Sequence, residues 1–293
     1  MGIIERAIGA QQGERTEQDK VVSLDGAAGF DVNYADLRDR GVFTPAARED
    51  AQAFELRAIK RRLLRRIGFL QRAGRDKRQL AAGGRNRNIV LLTSTRPGEG
   101  KSFVATNLAL SLALEEAIPV FLVDGDAARP RLRSYFGLPA GKGLTDLLKD
   151  SALTLGAVAK KANSLPLTFI SEGSVVPNAT DLFGSLEAKR FFASLSAICP
   201  DGVIIVDAPP MLATTETIAL ARHADEVVFV VEADSTPQPA VASALDELLE
   251  INPNVSLVLN RCLVPAGGSH YAAYEYYEKR SGEGGDAAAG ERG

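Results

Sequence analysis

The stretch Ser94-Thr-Arg-Pro-Gly-Glu-Gly-Lys-Ser102 carries the clearest chemistry in this chain. It follows a short apolar run, Ile89–Thr93, and opens a helix-like segment, Ser102–Glu115, which is the strand–loop–helix setting of a phosphate-binding loop. Gly98 and Gly100 allow backbone N–H groups to turn inward around phosphate oxygens, where side chains would crowd the turn. Lys101 can set its ammonium against β and γ phosphates. Ser102 opens the helix, where its hydroxyl can ligate Mg²⁺ and the helix N-terminus favours negative charge. The candidate phosphate-binding set is therefore Thr95, Arg96, Pro97, Gly98, Glu99, Gly100, Lys101, Ser102 and Phe103. Thr95 stands where G-x-x-x-x-G-K-[ST] has its first glycine.

Two more apolar runs end in acid. Phe121-Leu-Val-Asp-Gly-Asp126 and Val203-Ile-Ile-Val-Asp207 would bring Asp124, Asp126 and Asp207 to the sheet edge that holds the loop. A carboxylate after four apolar residues is costly to leave dry and unpaired, and Mg²⁺ with its waters is a natural partner. All three aspartates, together with Ser102 and Lys101, are thus candidates for the metal and catalytic site. The two histidines, His223 and His270, lie far in sequence from these strand ends, and His223 is expected on the surface at a helix end. Asp124 is then the group to accept a hydroxyl proton in phosphoryl transfer.

Four of the six tyrosines, Tyr271, Tyr274, Tyr276 and Tyr277, sit in a Gly/Glu/Ala-rich tail, residues 265–293, past the last segment that could build a core. Such a tail is expected to be flexible, with its rings exposed.

The positioning elements can be read from hydrophobic periodicity. Apolar runs at 89–93, 120–123, 167–170, 203–206, 227–231 and 255–259 alternate with helix-like stretches at 102–115, 186–198, 216–222 and 239–249. This alternation implies an α/β fold: a mostly parallel central sheet flanked by helices on both faces, with ligands at the strands' C-terminal ends. The core domain is placed at 88–264. Before it, residues 1–50 read as a loosely ordered arm. Residues 51–87 read as an amphipathic helix and linker, with Leu56, Ile59, Leu63, Ile67 and Leu70 as the apolar stripe. Its other faces carry Arg57, Lys60, Arg61, Arg62, Arg65 and Arg66, a surface for core packing, for subunit contact or for peripheral contact with anionic lipid. The net charge of −3 argues against nucleic acid as a partner. No apolar run approaches the ~20 residues of a membrane span, no secretory signal opens the chain, and Cys199 and Cys262 lack metal-ligand spacing. A cytoplasmic protein without a structural metal is expected.

TSTRPGEGKS, VFLVDGDAARP and IIVDAPP together resemble the three nucleotide motifs of the bacterial tyrosine kinases, which build a kinase on a P-loop NTPase fold of the Mrp and MinD type. The resemblance continues through Gly141–Leu144, Ser171-Glu-Gly, Pro177-Asn178 and Leu257–Arg261 to the tyrosine cluster. Within the family the chain looks most like the soluble autokinases of exopolysaccharide (PEP-CTERM) loci. The resemblance implies ATP and Mg²⁺ as cofactors, Asp124 activating a tyrosine hydroxyl, Asp126 and Asp207 organising Mg²⁺, and Asn260 near the base. It implies that Tyr271, Tyr274, Tyr276 and Tyr277 are phosphoacceptors, modified in trans within a ring-like homo-oligomer. It also implies a transmembrane polysaccharide co-polymerase, the chain-length protein, as activator. The family's E-x-x-R-x-x-R helix motif is incomplete here: its register holds Phe54, Arg57 and Lys60, with Glu55 displaced by one. Arg96 occupies the place of the signature lysine of MinD/ParA-type ATPases, so a MinD/ParA/Mrp-like P-loop ATPase for positioning or partitioning, without kinase activity, is the alternative reading.

Overall fold

Alternation within each central strand divides the core in two. Ile89, Leu91, Phe121, Val123, Ile204 and Val206 pack on one face of the sheet. Their neighbours Val90, Leu92, Val120, Leu122, Val203 and Ile205 pack on the other. Both faces must then be covered by helices, because a strand apolar on both sides has no face for water.

The computed structural model describes residues 23–47, 51–69 and 86–262. β1 (Ala28–Phe30) and α1 (Tyr34–Asp39) precede α2 (Ala51–Arg66). β2 (Ile89–Ser94) leads into α3 (Lys101–Glu115), β3 (Val120–Asp124) and the short α4 (Leu132–Tyr135). α5 (Leu144–Lys149), α6 (Leu155–Val158) and β4 (Lys160–Ala162) lead to β5 (Leu167–Ile170). α7 (Ala179–Phe183) and α8 (Leu186–Ile198) follow, then β6 (Val203–Asp207) and α9 (Glu216–Ala221). β7 (Glu226–Glu232), α10 (Gln238–Ile251) and β8 (Val255–Asn260) complete the described elements.

The strands form one sheet in the order β1-β4-β5-β3-β6-β2-β7-β8. Every pairing is parallel except β4 with β5. The register sets Leu92 beside Asp207 and Asp207 beside Asp124, so the loop after β2 and both acidic strand ends share one edge. The six expected strands are all present and the sheet is mostly parallel, as the alternation implied.

Residues 28–47 depart from the expected loose arm. β1 adds a parallel edge strand against β4, and Asn33 caps α1 by accepting from the amides of Ala35 and Asp36. Leu37, Val42 and Phe43 are buried, and the Phe43 amide donates to Asn107 Oδ1 at 2.7 Å. The segment is too short to show a period, and what orders it lies 64 residues away on α3.

α2 turns part of its basic face inward. Leu56, Leu63 and Ile67 pack on the core, while Arg57 and Lys60 pair with Glu115 at 2.8 and 2.5 Å. Lys60, 2% exposed, also reaches Glu116 at 3.1 Å, and Arg66 meets the buried Glu226 at 2.5 Å. Burial works against the Glu115 carboxylate, but Lys60, Ser111 and Arg57 hold it below its usual value. Arg61, Arg62 and Arg65 remain exposed. Among the described residues no helix is long and apolar enough to cross a membrane.

His223 is not on the surface. It is buried after α9, its Nε2 lies 2.8 Å from the Phe183 carbonyl, and its ring stacks on Phe192 at 5.0 Å. The apolar segments around it close over the helix end.

Candidate active site

The loop between β2 and α3 is bent by Gly98 and Gly100, whose φ angles of 97° and 94° are left-handed. A non-glycine residue is strained there. A Cβ on Gly100 would also lie 2.1 Å from Asn260 Nδ2. Gly100 gives α3 no side-chain cap, so the first N–H groups of this fifteen-residue helix face the loop without one. Orphan amides and the positive end of the helix dipole together make an anion cradle.

Side chains from distant segments fix the loop. Glu99, 2% exposed, accepts from the Arg96 amide at 2.8 Å through one oxygen and from the Thr236 hydroxyl through the other. Asn260, at the end of β8, donates its amide to the Glu99 carbonyl at 2.8 Å. The Arg96 guanidinium donates to the Ser235 carbonyl at 3.1 Å. Ser94 Oγ donates to the Arg96 carbonyl at 3.0 Å. Thr95 Oγ1 is buried without a hydrogen-bond partner. Pro97 and Gly98 are exposed at the tip, and Phe103 packs partly against the core.

Lys101, Ser102, Asp126 and Asp207 meet inside this frame. Lys101 Nζ lies 2.9 Å from Asp126 Oδ2, 3.4 Å from Asp207 Oδ1 and 3.4 Å from Ser102 Oγ. The Ser102 hydroxyl donates to Asp207 Oδ2 at 2.5 Å. Burial pulls the Lys101 ammonium down, but Asp207, Asp126 and Asp124 outweigh it and hold the pKa above its ordinary value. The ammonium is thus a cation held by hard oxygen donors from two carboxylates and a hydroxyl. That donor set fits Mg²⁺ once Lys101 turns to a phosphate. Among the described residues no three His, Cys, Asp or Glu side chains form a ready-made metal cluster, so Ser102 and nucleotide or water oxygens would complete the shell.

Asp124 lies deeper. Fully buried, it accepts from the amides of Asp126 and Leu132, each at 3.1 Å. Burial first, and then Asp207, raise its pKa well above the carboxylate range, against the pull of those two amides. Burial likewise raises Asp207, with Lys101 and Ser102 opposing.

Glu172, two residues past the end of β5, was not singled out by its residue type. It is 6% exposed, accepts from Arg133 Nε at 3.1 Å through Oε1, and leaves Oε2 buried without a partner. Its charge also raises Asp124. The acid-after-apolar-run pattern that marks Asp124 and Asp207 also fits Glu172, displaced by one residue. The Glu99–Thr236 bond spans 137 residues and leaves no local sequence signal. Tyr271, Tyr274, Tyr276 and Tyr277 lie outside the described residues.

A glycine-bent loop that delivers a lysine and a serine to a helix N-terminus, with acids from two neighbouring strand ends, defines a P-loop nucleotide-binding protein. The chain is 30% identical over 200 residues to the tyrosine-protein kinase YwqD of Bacillus subtilis, covering 68% of this chain and 81% of that one. It is also 30% identical over 212 residues to the putative tyrosine-protein kinase EpsB of Ralstonia nicotianae, covering 71% of this chain but only 28% of that much longer protein. Among solved structures, the kinase domain of VpsO matches at TM-score 0.56 and 28% identity, over 69% of this chain and 98% of that one. The kinase domain of the Escherichia coli tyrosine kinase ETK has the same fold, at TM-score 0.62 and 22% identity, over 82% of this chain and 90% of that one. No family model matches the chain. The chain belongs to the bacterial tyrosine kinase family.

Proposed function

We propose that this protein is an ATP-dependent protein-tyrosine autokinase that modifies its own tail tyrosines in trans and thereby regulates exopolysaccharide synthesis or export. The observation that carries this reading is the meeting of Lys101, Ser102, Asp126 and Asp207 within hydrogen-bonding distance at the mouth of the glycine loop. Its kinship with tyrosine kinases favours this over the positioning ATPase.

The α3 N-terminus and loop amides cradle the triphosphate, and Lys101 leaves the aspartates to bind β and γ oxygens. Asp126, Asp207 and Ser102 would hold Mg²⁺, which when bound would supply charge neutralisation for the phosphate oxygens. The acceptor phenol attacks the γ-phosphorus, the bond to the ADP oxygen breaks, and the phenolic proton passes to the ionised Asp124 carboxylate. Asn260 and Glu99 keep the loop in register. The acceptors are Tyr271, Tyr274, Tyr276 and Tyr277, the assembly is a ring-like homo-oligomer, and the activator is a transmembrane polysaccharide co-polymerase at the inner membrane face.

Incubation with labelled ATP tests the reading. Wild type should acquire label on protein, and both Lys101→Met and a variant with the four tail tyrosines changed to Phe should lose it. Phosphate release without protein label would support the positioning ATPase instead.

A further inference from the structure

Three arginines, Arg129, Arg131 and Arg133, crowd a five-residue stretch just after the site's aspartates. The aspartates themselves fold this segment. Asp126 Oδ1 accepts the Arg129 amide at 2.9 Å, and Asp124 Oδ2 accepts the Leu132 amide. Arg129 and Arg131 are exposed. Arg133 is held from below by Glu172, whose side chain is 7% exposed against 33% for the arginine. Glu172 is itself fixed by its backbone, with the carbonyls of Ser171 and Glu172 accepting from Leu144 and Thr145 at 2.8 and 3.0 Å.

The sheet order gives this segment its position. From the phosphate loop after β2, the neighbouring strand ends are Asp207 on β6, Asp124 on β3 and then β5 with Glu172. Under the autokinase reading, phosphates held by the loop after β2 would leave the β3–β5 end, where the arginines stand, as the side open to an acceptor hydroxyl. Between Tyr271 and Glu278 the tail carries two carboxylates, Glu275 and Glu278, beside the tyrosines, and its cations Lys279 and Arg280 follow only after them.

We propose that Arg129, Arg131 and Arg133 form a docking rim for the Tyr271–Glu278 segment of a second copy of this chain, pairing with the glutamates beside the acceptor tyrosines. The proposal rests on the autokinase reading above. A guanidinium is suited to this because its planar fork of donors matches a carboxylate. An exposed cation rim also raises the local concentration of an acidic segment.

The test uses two full-length proteins, assayed with the proposed co-polymerase activator present. The enzyme has its four tail tyrosines changed to Phe, and the acceptor, on a size tag, carries Lys101→Met with its tail intact. Phosphate transfer is measured against acceptor and against ATP concentration. Arg129→Glu/Arg131→Glu, which leaves the Arg133–Glu172 clamp in place, should raise the acceptor KM about tenfold and leave the ATP KM unchanged. An acceptor that also carries Glu275→Lys/Glu278→Lys should recover most of that loss with the reversed enzyme, and lose efficiency with the original one. Equal losses with both acceptors, an unchanged acceptor KM, or an ATP KM that rises in step would overturn the docking rim. Absence of transfer by the unreversed enzyme would instead overturn the autokinase reading, and the rim with it.

Discussion

Lys101 sits between Asp126 and Asp207, and on the proposed reading a divalent cation would replace it there when nucleotide binds. Ser102 is bonded to Asp207 in the same cluster. Ser102→Ala should raise the Mg²⁺ concentration for half-maximal phosphoryl transfer about tenfold, read by metal titration at saturating ATP. Asp124 gives a second expectation. Its pKa stands well above the usual 3.8, and only the ionised form can take the phenolic proton. The rate should therefore climb as pH rises through that elevated value, and Asp124→Asn should flatten the climb as well as lower the rate. The stability effect has the opposite sign: the folded state favours the protonated acid, so Asp124's contribution is fully present below pH 3.8 and is lost as pH rises through the elevated pKa. These groups were legible in the sequence because a carboxylate closing an apolar run has few structural uses. Glu99 with Thr236, and Glu172 with Arg133, were not, because each role depends on a contact made only in three dimensions.

The strands and helices place these residues, and their own constraints can be tested separately. Gly100 combines a left-handed φ of 94° with a close approach to Asn260. Gly100→Ala should cost about 1–3 kcal/mol of backbone strain and displace the β8 contact, weakening nucleotide binding more than tenfold by titration. At α2, Glu115→Gln should destabilise the fold by about 1–3 kcal/mol in urea unfolding. That is less than for removing a partner of a fully buried pair, since Glu116 still reaches Lys60. Glu115 is held below its usual 4.5, so its contribution is complete above that value. The gap to wild type should close as pH falls through the lowered pKa. Six strands were legible as apolar runs, whereas β1 and β4, three residues each, carry too little pattern to stand out. The burial of His223 was hidden for a related reason: its partners Phe183 and Phe192 belong to other helices.

Across the whole molecule, a P-loop site at one sheet edge is joined in sequence to a segment that holds four of six tyrosines. Each phosphate would add ~1.5–2 negative charges beside Glu275 and Glu278. Several together would repel one another and loosen an oligomer that depends on the tail for contact. The pairing of Arg57 and Lys60 with Glu115 within one chain turns these cations inward, leaving Arg61, Arg62 and Arg65 for any surface contact of α2. The most direct measurement is a mass-spectrometric map of phosphate on protein purified from cells that also supply the proposed transmembrane co-polymerase. The account predicts phosphotyrosine at one or more of Tyr271, Tyr274, Tyr276 and Tyr277, absent from Lys101→Met. A tail without phosphate in protein that still hydrolyses ATP would contradict it.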